Sequence, residues 1–428
     1  MAAGSAQRSL QRAEKAPEAR EPVVQHVQHE QDEQVEPRRP SESLWTLFRV
    51  VLGISAISWG GLALMAQLEL HYVERERRFT RLEFSDFNAL AWMVPGAVGC
   101  NVAVQVGHAL RGKRGAWIAG IASVLPFFVV MSTFAVFYRQ PFIRALASPG
   151  LLQHFSVVLA ALIAVTWYRQ TRTLVHGWLA WLTAGIGFAV LLSGHGAAAF
   201  VLLLFGAFAA GWLASPSRDG HLEFSLRTSD KLLALALAGL VALFVLPLAP
   251  SVQRALIWPR LAGACMTLFG GGFSALPVLK SLFVTPVLGI TMHEFTLAFA
   301  LSPVSPGPLL NVVPFFGYLT QGWIGAVSAT FALFVPSGLL IVLARRHVRR
   351  LEAHVRFEHG MRVLRACTTA FLAATVVHVS THVAHEPAYL CTAVFALLCL
   401  ARFKMPVYAV YATVAAAYGI AAALGHRW

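Results

Sequence analysis

Charge is what this 428-residue chain has least of: 13% of its residues are Asp, Glu, Lys or Arg, about half the share of an ordinary soluble domain. With 57% hydrophobic residues and a mean hydropathy of +0.63, that scarcity excludes a water-soluble globular enzyme, because no compact core of this length could hide so much apolar surface. It excludes a disordered chain for the same reason. Cysteine is scarce too: Cys100, Cys265, Cys367, Cys391 and Cys399 stand in apolar stretches with no CxxC pair, which excludes a disulfide scaffold and a zinc knuckle. Residues 1–43 contain no apolar run of the kind a secretion signal needs. Catalytic fingerprints are missing as well. There is no phosphate-binding Walker loop, no credible dinucleotide fingerprint and no serine elbow, and His293-Glu294 is followed by Phe295-Thr296-Leu297 rather than completing HExxH. The expectation is a protein that is not an enzyme and carries no cofactor or metal.

What is there are long apolar stretches separated by short basic loops, the pattern of an all-α polytopic transmembrane protein. Stretches such as Leu44–Leu70, Ala116–Phe137, Leu151–Trp167 and Ala255–Leu276 read as spans, while Phe84–Ala109 and Phe295–Phe316 are apolar but interrupted by Pro and Gly. Residues 1–43, rich in Gln, Glu, Arg and Pro, read as a disordered tail. They hold six Lys/Arg against eight Asp/Glu, so the basic excess of the chain belongs to the membrane body. The polar stretch Ser215–Asp230 marks a boundary. The organisation is a tail over 1–43, a first unit over 44–214, a linker with an apolar helix over 215–254 and a second unit over 255–428.

The two units are copies of each other. At an offset of 210, Trp59-Gly60-Gly61 matches Phe269-Gly270-Gly271, and Asn101, Gly107, Gly112, Gly115-Ala116 and Pro126 match Asn311, Gly317, Gly322, Gly325-Ala326 and Pro336. Between them Thr80, Glu83-Phe84, Ala89-Leu90 and Pro95-Gly96 match Thr291, Glu294-Phe295, Ala300-Leu301 and Pro306-Gly307 at 211. Loop charges reverse between the copies. Arg75–Arg81 and Arg111–Arg114 are strongly basic, whereas Pro286–His293 and Leu319–Trp323 carry no Lys or Arg; Arg345–Arg350 is dense in charge where its counterpart has only Arg139 and Arg144. Basic loops prefer the cytoplasm, so the copies read as inverted repeats. One tension remains: a single crossing from residue 44 to Arg75 would put Arg38 and Arg39 outside, unless the chain turns back at Gly60-Gly61.

Each copy pairs a Gly-Gly element with a Pro-Gly break followed by Asn. Pro removes a helix donor and Gly relaxes the backbone, so membrane helices open there and expose backbone groups that lipid cannot satisfy. Two half-helix N-termini meeting at mid-membrane would make an anion site without buried cations. The candidate substrate-binding residues are Gly60, Gly61, Pro95, Gly96 and Asn101 in the first copy, with Phe269, Gly270, Gly271, Gly272, Lys280, Pro306, Gly307, Pro308 and Asn311 in the second. Lys280 would attract substrate, and Glu69, at the corresponding end of the first copy, would serve proton coupling. The spacing of His378, His382 and His385, with Glu386 after them, puts imidazoles on one helical face. That face could relay protons, hold a metal or form a polar seam. Gly112-x-x-Gly115 and Gly322-x-x-Gly325 read as close-packing contacts, and Glu83 and Glu294 as helix-start carboxylates.

On Phe269-Gly270-Gly271-Gly272, Glu294-Phe295, Pro306-Gly307-Pro308, Asn311, Gly317-Tyr318, Gly322-Trp323-Ile324-Gly325-Ala326 and Pro336 the chain resembles the chromate ion transporter family over roughly residues 44–428. The first copy departs from the pattern at Trp59, Leu62, Ala97 and His108. The resemblance implies a multi-pass protein of the bacterial cytoplasmic membrane that exports chromate as a proton-coupled antiporter. Alternating access would run around the paired breaks. The expected partners are chromate or a similar oxyanion, the lipid bilayer and a second copy of the chain, with no nucleic acid. Two other readings stand beside it: a transporter of sulfate or another anion, and a membrane-embedded metal protein or enzyme using the His378/His382/His385 face.

Overall fold

In the computed structural model, residues 42–138, 140, 148–193, 197–215, 228–269, 275–302, 305–345, 355–380 and 386–424 are described. The tail over 1–41, Gly270, Gly271, Gly272, His382 and His385 lie outside them, as does the side chain of His378. Among the described residues the chain is helical, the one β-type contact being an isolated bridge. The first copy comprises α1 (Leu44–Ile57), α2 (Gly61–Glu69, continued by a π-helical turn over Leu70–Arg75), α3 (Arg81–Met93), α4 (Val98–Phe137), α5 (Pro149–Leu174), α6 (Trp178–Leu192) and α7 (Ala197–Leu213). After α8 (Thr228–Val245) and the short α9 (Pro250–Ala255) come α10 (Ile257–Cys265), α11 (Ala275–Phe283), α12 (Met292–Leu301), α13 (Val313–Arg345), α14 (Val355–Ser380), α15 (Pro387–Leu397) and α16 (Val407–Ala423).

Four of these helices are long and apolar enough to cross a bilayer: those covering Val98–Phe137, Gly150–Leu174, Leu310–Arg345 and Val355–Val377. Several stretches that read as single spans do not form them. Leu44–Leu70 breaks at Ser58–Gly60, and Ala255–Leu276 breaks after Cys265. Their arms have 9–14 residues, about 14–21 Å of helix, and reach only part way into a hydrocarbon core about 30 Å thick.

The arms turn back on themselves. Glu42, just before α1, lies within electrostatic reach of Tyr72, Glu76 and Arg78, just after α2. Leu47 shares an apolar cluster with Tyr72 and Val73. The chain therefore returns to the face it left, which removes the tension over the tail. A second hairpin follows: the Gln105 side-chain amide donates to the Phe87 carbonyl at 2.8 Å, although eighteen residues of continuous helix would hold them about 27 Å apart. Arg75–Arg81 and Arg111–Arg114 thus lie on one face.

α4 itself folds in two at Arg111-Gly112, where φ/ψ is −138°/21° and then 59°/−147°; α13 repeats this at Gln321-Gly322 with −143°/26° and 61°/−146°. Past the turn the chain runs antiparallel to the arm before it. A Cβ on Gly107 would lie 2.2 Å from the Gly115 carbonyl oxygen, and one on Gly317 would lie 2.3 Å from that of Gly325. Small residues there let the two backbones touch, the packing role their spacing suggested.

The crossing arm of each copy ends beside the hairpins of the other. Arg345, at the end of α13, donates to the Gln105 carbonyl at 2.8 Å and sits 4.6 Å over the Phe87 ring. Tyr138, just past α4, donates to Glu294 at 2.5 Å. The hairpins of the two copies therefore enter from opposite faces, and the repeats are inverted. Outside this centre the copies exchange partners again. α5 packs on α15 and α16, α14 packs on α6 and α7, and α5 and α14 pack together. Thr80/Glu83 and Thr291/Glu294 form reciprocal capping boxes at the starts of α3 and α12.

Glu42 is buried at the edge of the basic face with one carboxylate oxygen unpartnered. Burial pushes its carboxyl above the usual carboxylate range, against the pull of Arg78. The folded state thus favours the neutral acid, and the stability this confers at low pH is lost as pH rises through the raised value. Glu42→Gln should accordingly raise the melting temperature at neutral pH, with the gain vanishing on acidification. Thermal melts of both proteins across that range check it.

Candidate functional site

Four hairpin tips meet between the two faces, and they bond to each other across the repeats. The Gly307 N–H donates to the Ser58 carbonyl at 2.9 Å and the Gly60 N–H to the Gly307 carbonyl at 3.1 Å, making the Trp59–Gly307 bridge. At the matched place, the Gly96 N–H donates to the Leu268 carbonyl at 2.8 Å. Ser58 and Gly60 of the first copy thus hold the Pro-Gly tip of the second, and Leu268 of the second holds the Pro-Gly tip of the first. This corrects the expectation that the breaks expose unpaired backbone donors. The N–H groups of Gly60, Gly96 and Gly307 are occupied, because the partner that sequence reasoning could not supply is the opposite repeat. Gly96 and Gly307 have φ of +113° and +99°, a conformation costly for any residue with a Cβ.

Among the described residues, donors are left over in the first copy. The arm of α4 that starts at Val98 has no side-chain cap on its first N–H groups. Its second residue, Gly99, packs against the start of α2: a Cβ there would lie 2.6 Å from the Gly61 carbonyl oxygen. Two helix N-termini thus converge at Gly61 and Gly99. One turn further, Asn101 is 2% exposed. Its Oδ1 lies 2.7 Å from the Ser337 hydroxyl, which also lies 2.8 Å from the Pro95 carbonyl. Its Nδ2 has no hydrogen-bond partner.

Asn101 and its neighbour Cys100 line a cavity of about 500 Å3 between the crossing arms of α4 and α13. Lys113 and Leu343 line it at the end of the basic face, while Ser123 and Thr330 add hydroxyls and Asp230 a carboxyl to a wall that is otherwise largely apolar. A buried amide with an unused donor normally finds an acceptor, and here the acceptor can come from the cavity.

The second copy does not mirror this. Asn311 is fully buried, accepts from the Ser302 hydroxyl at 2.6 Å and donates through Nδ2 to the Ser302 carbonyl at 2.9 Å. Ala91 stands where the repeat places Ser302, so the first copy cannot tie its Asn the same way. Pro308 leads into a 3-10 turn, Leu309–Val312, instead of an α-helical start, and Gly307 abuts Phe127 where Gly96 abuts Ser337.

The remaining candidates are spread out. Phe269 and Pro95 line a second cavity of about 300 Å3. Lys280 is half-buried on α11 and Glu69 half-buried at the end of α2, and neither lines either cavity. Glu386 is exposed at the start of α15. Among the described residues, no three His, Cys, Asp or Glu side chains are placed to hold a metal ion. Sequence reasoning missed Ser337, Ser302 and Phe127. The only signal for Ser337 was its place beside the repeated Pro336, opposite Phe127 next to Pro126.

The sequence profile described as "Chromate transporter" matches residues 45–212 and 255–420. The chain is 26% identical over 379 residues to the chromate transport protein of Cupriavidus metallidurans, covering 85% of this chain and 90% of that one. It is 28% identical over 319 residues to a chromate transport protein of Pseudomonas aeruginosa, covering 70% and 72%. To a probable chromate transport protein of Synechococcus elongatus it is 23% identical over 359 residues, covering 81% and 87%. No solved structure matches the chain.

Proposed function

Since the chain belongs to the chromate transporter family, we propose that it exports chromate across the cytoplasmic membrane as a secondary, proton-coupled antiporter. The observation that carries the substrate reading is the unpartnered Asn101 amide at the floor of the cavity, beside the converging helix starts at Gly61 and Gly99. A tetrahedral dianion supplies the oxygen acceptors those donors lack, and helix N-termini favour its charge without a buried cation. Gly60, Pro95, Gly96, Pro306, Gly307 and Pro308 then act as the frame that fixes the donors. Ser337 positions Asn101, and Asn311 with Ser302 holds the opposite tip. Lys113, at the cavity end on the basic face, draws anions from the side that basic loops mark as cytoplasmic. That orientation favours export over uptake. Alternating access would move the crossing arms of α4 and α13 around the rigid crossing of tips, closing this cavity and opening a route on the other face.

Labelled chromate efflux from vesicles containing the purified protein tests the reading. Saturable flux, inhibited by excess unlabelled chromate and accelerated by an opposing proton gradient, is the expected result. Flux no greater than from protein-free vesicles would overturn it. Stronger inhibition by sulfate than by chromate would instead assign a sulfate carrier, since amide donors recognise both ions by charge and shape.

A further inference from the structure

A buried histidine lies well away from the tips. His154 sits on the second turn of α5, one of the crossing-length helices, and is 3% exposed. Its neighbours come from the other repeat. Nδ1 is 2.8 Å from the Thr392 hydroxyl, and the ring centroid is 4.7 Å from that of Tyr389 and 5.7 Å from that of Tyr418. The adjacent Gln153 accepts from the Tyr389 hydroxyl, and Ser148 at the start of α5 donates to Tyr418 at 3.1 Å. Thr392 spends its own hydroxyl proton on the Ala388 carbonyl at 3.0 Å. Towards His154 it is therefore an acceptor, which puts the imidazole proton on Nδ1 and makes Nε2 the basic nitrogen.

The fold does not require this cluster. The copies exchange partners in the same way at the symmetry-related crossing, where α14 lies on α6 and α7. There Gly360 abuts Phe208, Phe208 meets Phe357 edge-on, and Gly211 abuts the His359–Gly360 backbone. The α5 crossing seals its imidazole, 3% exposed, among phenols and an amide, whereas His359 at the other crossing is only half-buried, and an ionisable group at membrane depth is expensive to keep. Among the described side chains, the ionisable groups on the elements packed against α5 are His293 and Glu294 on α12, Arg356, Glu358, His359, Arg362, Arg365 and Cys367 on α14, and Tyr389, Cys391 and Glu386 on or beside α15. Cys399 and Arg402 in the turn after α15, with Tyr408, Tyr411 and Tyr418 on α16, complete the set. Among them, Glu386 acts on His154 electrostatically. It offers a negative neighbour for an imidazolium. Because α5 begins where the crossing arm of α4 has ended, His154 lies near the face opposite the basic loops and the mouth of the Asn101 cavity.

We propose that His154 is a proton-binding residue of the transport cycle, taking a proton on Nε2 from the face opposite the chromate cavity and releasing it to the other side. Its charge state then sets how α5 of the first copy packs on α15 and α16 of the second, linking protonation to movement between repeats. The proposal rests on the transport reading above, and the experiment separates the two. In vesicles, wild-type protein and His154→Gln are compared in chromate–chromate exchange without a pH gradient and in efflux driven by an imposed gradient. The expected result is exchange retained in the variant with its acceleration by the gradient lost. A variant that keeps the acceleration, or wild-type protein that shows none, overturns the proposal. Thr392→Val, which removes only the Nδ1 partner, should shift the pH midpoint of gradient-driven efflux, and an unchanged midpoint would count against it. A wild-type protein without chromate flux would defeat the transport reading alone. Histidine resonances of isotopically labelled protein would then decide the matter. A signal titrating between about pH 5 and 8 that disappears in His154→Gln supports the proposal, and its absence from the wild type sinks it.

Discussion

Gly96→Ala should abolish chromate flux. At φ of +113° the added Cβ is strained wherever it points, and it would come 2.2 Å from the Ser337 hydroxyl oxygen and 2.7 Å from the Ser337 Cβ. Strain of about 1–3 kcal/mol and a similar overpacking cost fall on one spot. Relieving them displaces Ser337 from both Pro95 and Asn101 or breaks the Gly96–Leu268 bond. Gly307→Ala should behave alike, its Cβ landing 2.6 Å from the Phe127 ring at φ of +99°. Gly185→Ala supplies the control, since α6 runs through that glycine with open space around it. There the substitution should be neutral, or stabilising by up to about 1 kcal/mol through helix propensity. Flux per molecule of monodisperse protein, measured for all three variants, decides the point. Wild-type rates in Gly96→Ala would mean that the crossing of the tips is not the frame of the site.

Asn101 and Asn311, matched in the repeat, should part company when mutated. Asn101→Ala removes the unpartnered donor at the cavity floor, so apparent affinity for chromate should fall about 10- to 100-fold. That is the range expected for a lost hydrogen bond to a charged group, about 1.5–3 kcal/mol. Asn101→Asp, almost the same shape, replaces the donor by an anion and should eliminate flux. Asn311→Ala instead breaks two bonds to Ser302 inside the protein, so it should lower the melting temperature while the remaining folded protein binds chromate with near-normal affinity. Equal losses of affinity in both alanine variants would refute the assignment of the site to the first copy.

Much of the architecture was legible because repetition is a property of the chain itself. The matched Gly, Pro and Asn positions located the hairpin tips and the turns at Gly112 and Gly322, and the reversal of basic loops between Arg75–Arg81 and Arg345–Arg350 gave the inversion. What stayed hidden were contacts made only when the copies meet. Residues 58 and 307 are remote in sequence, so nothing local announced that each break satisfies the other, and the same holds for Ser337 with Asn101. Equal weight on Asn101 and Asn311 was a further consequence of reading by repeat, because the distinction between them rests on a single neighbour, Ser302 against Ala91. His154 passed unnoticed because one histidine in the apolar run Leu151–Trp167 carries no spacing pattern, whereas His378, His382 and His385 do.

The reciprocal bonding of the tips also bears on how the protein comes into being. Ser58, Gly60 and Gly96 find their partners in Gly307 and Leu268, which the ribosome adds some two hundred residues later. Until then the first unit's open backbone groups sit in or near hydrocarbon, where each unmet one costs several kcal/mol. The first half therefore has no finished resting state of its own. Those groups must wait in water or against a provisional partner, and the bonds that join the tips can close only after Leu268 and Gly307 have been made.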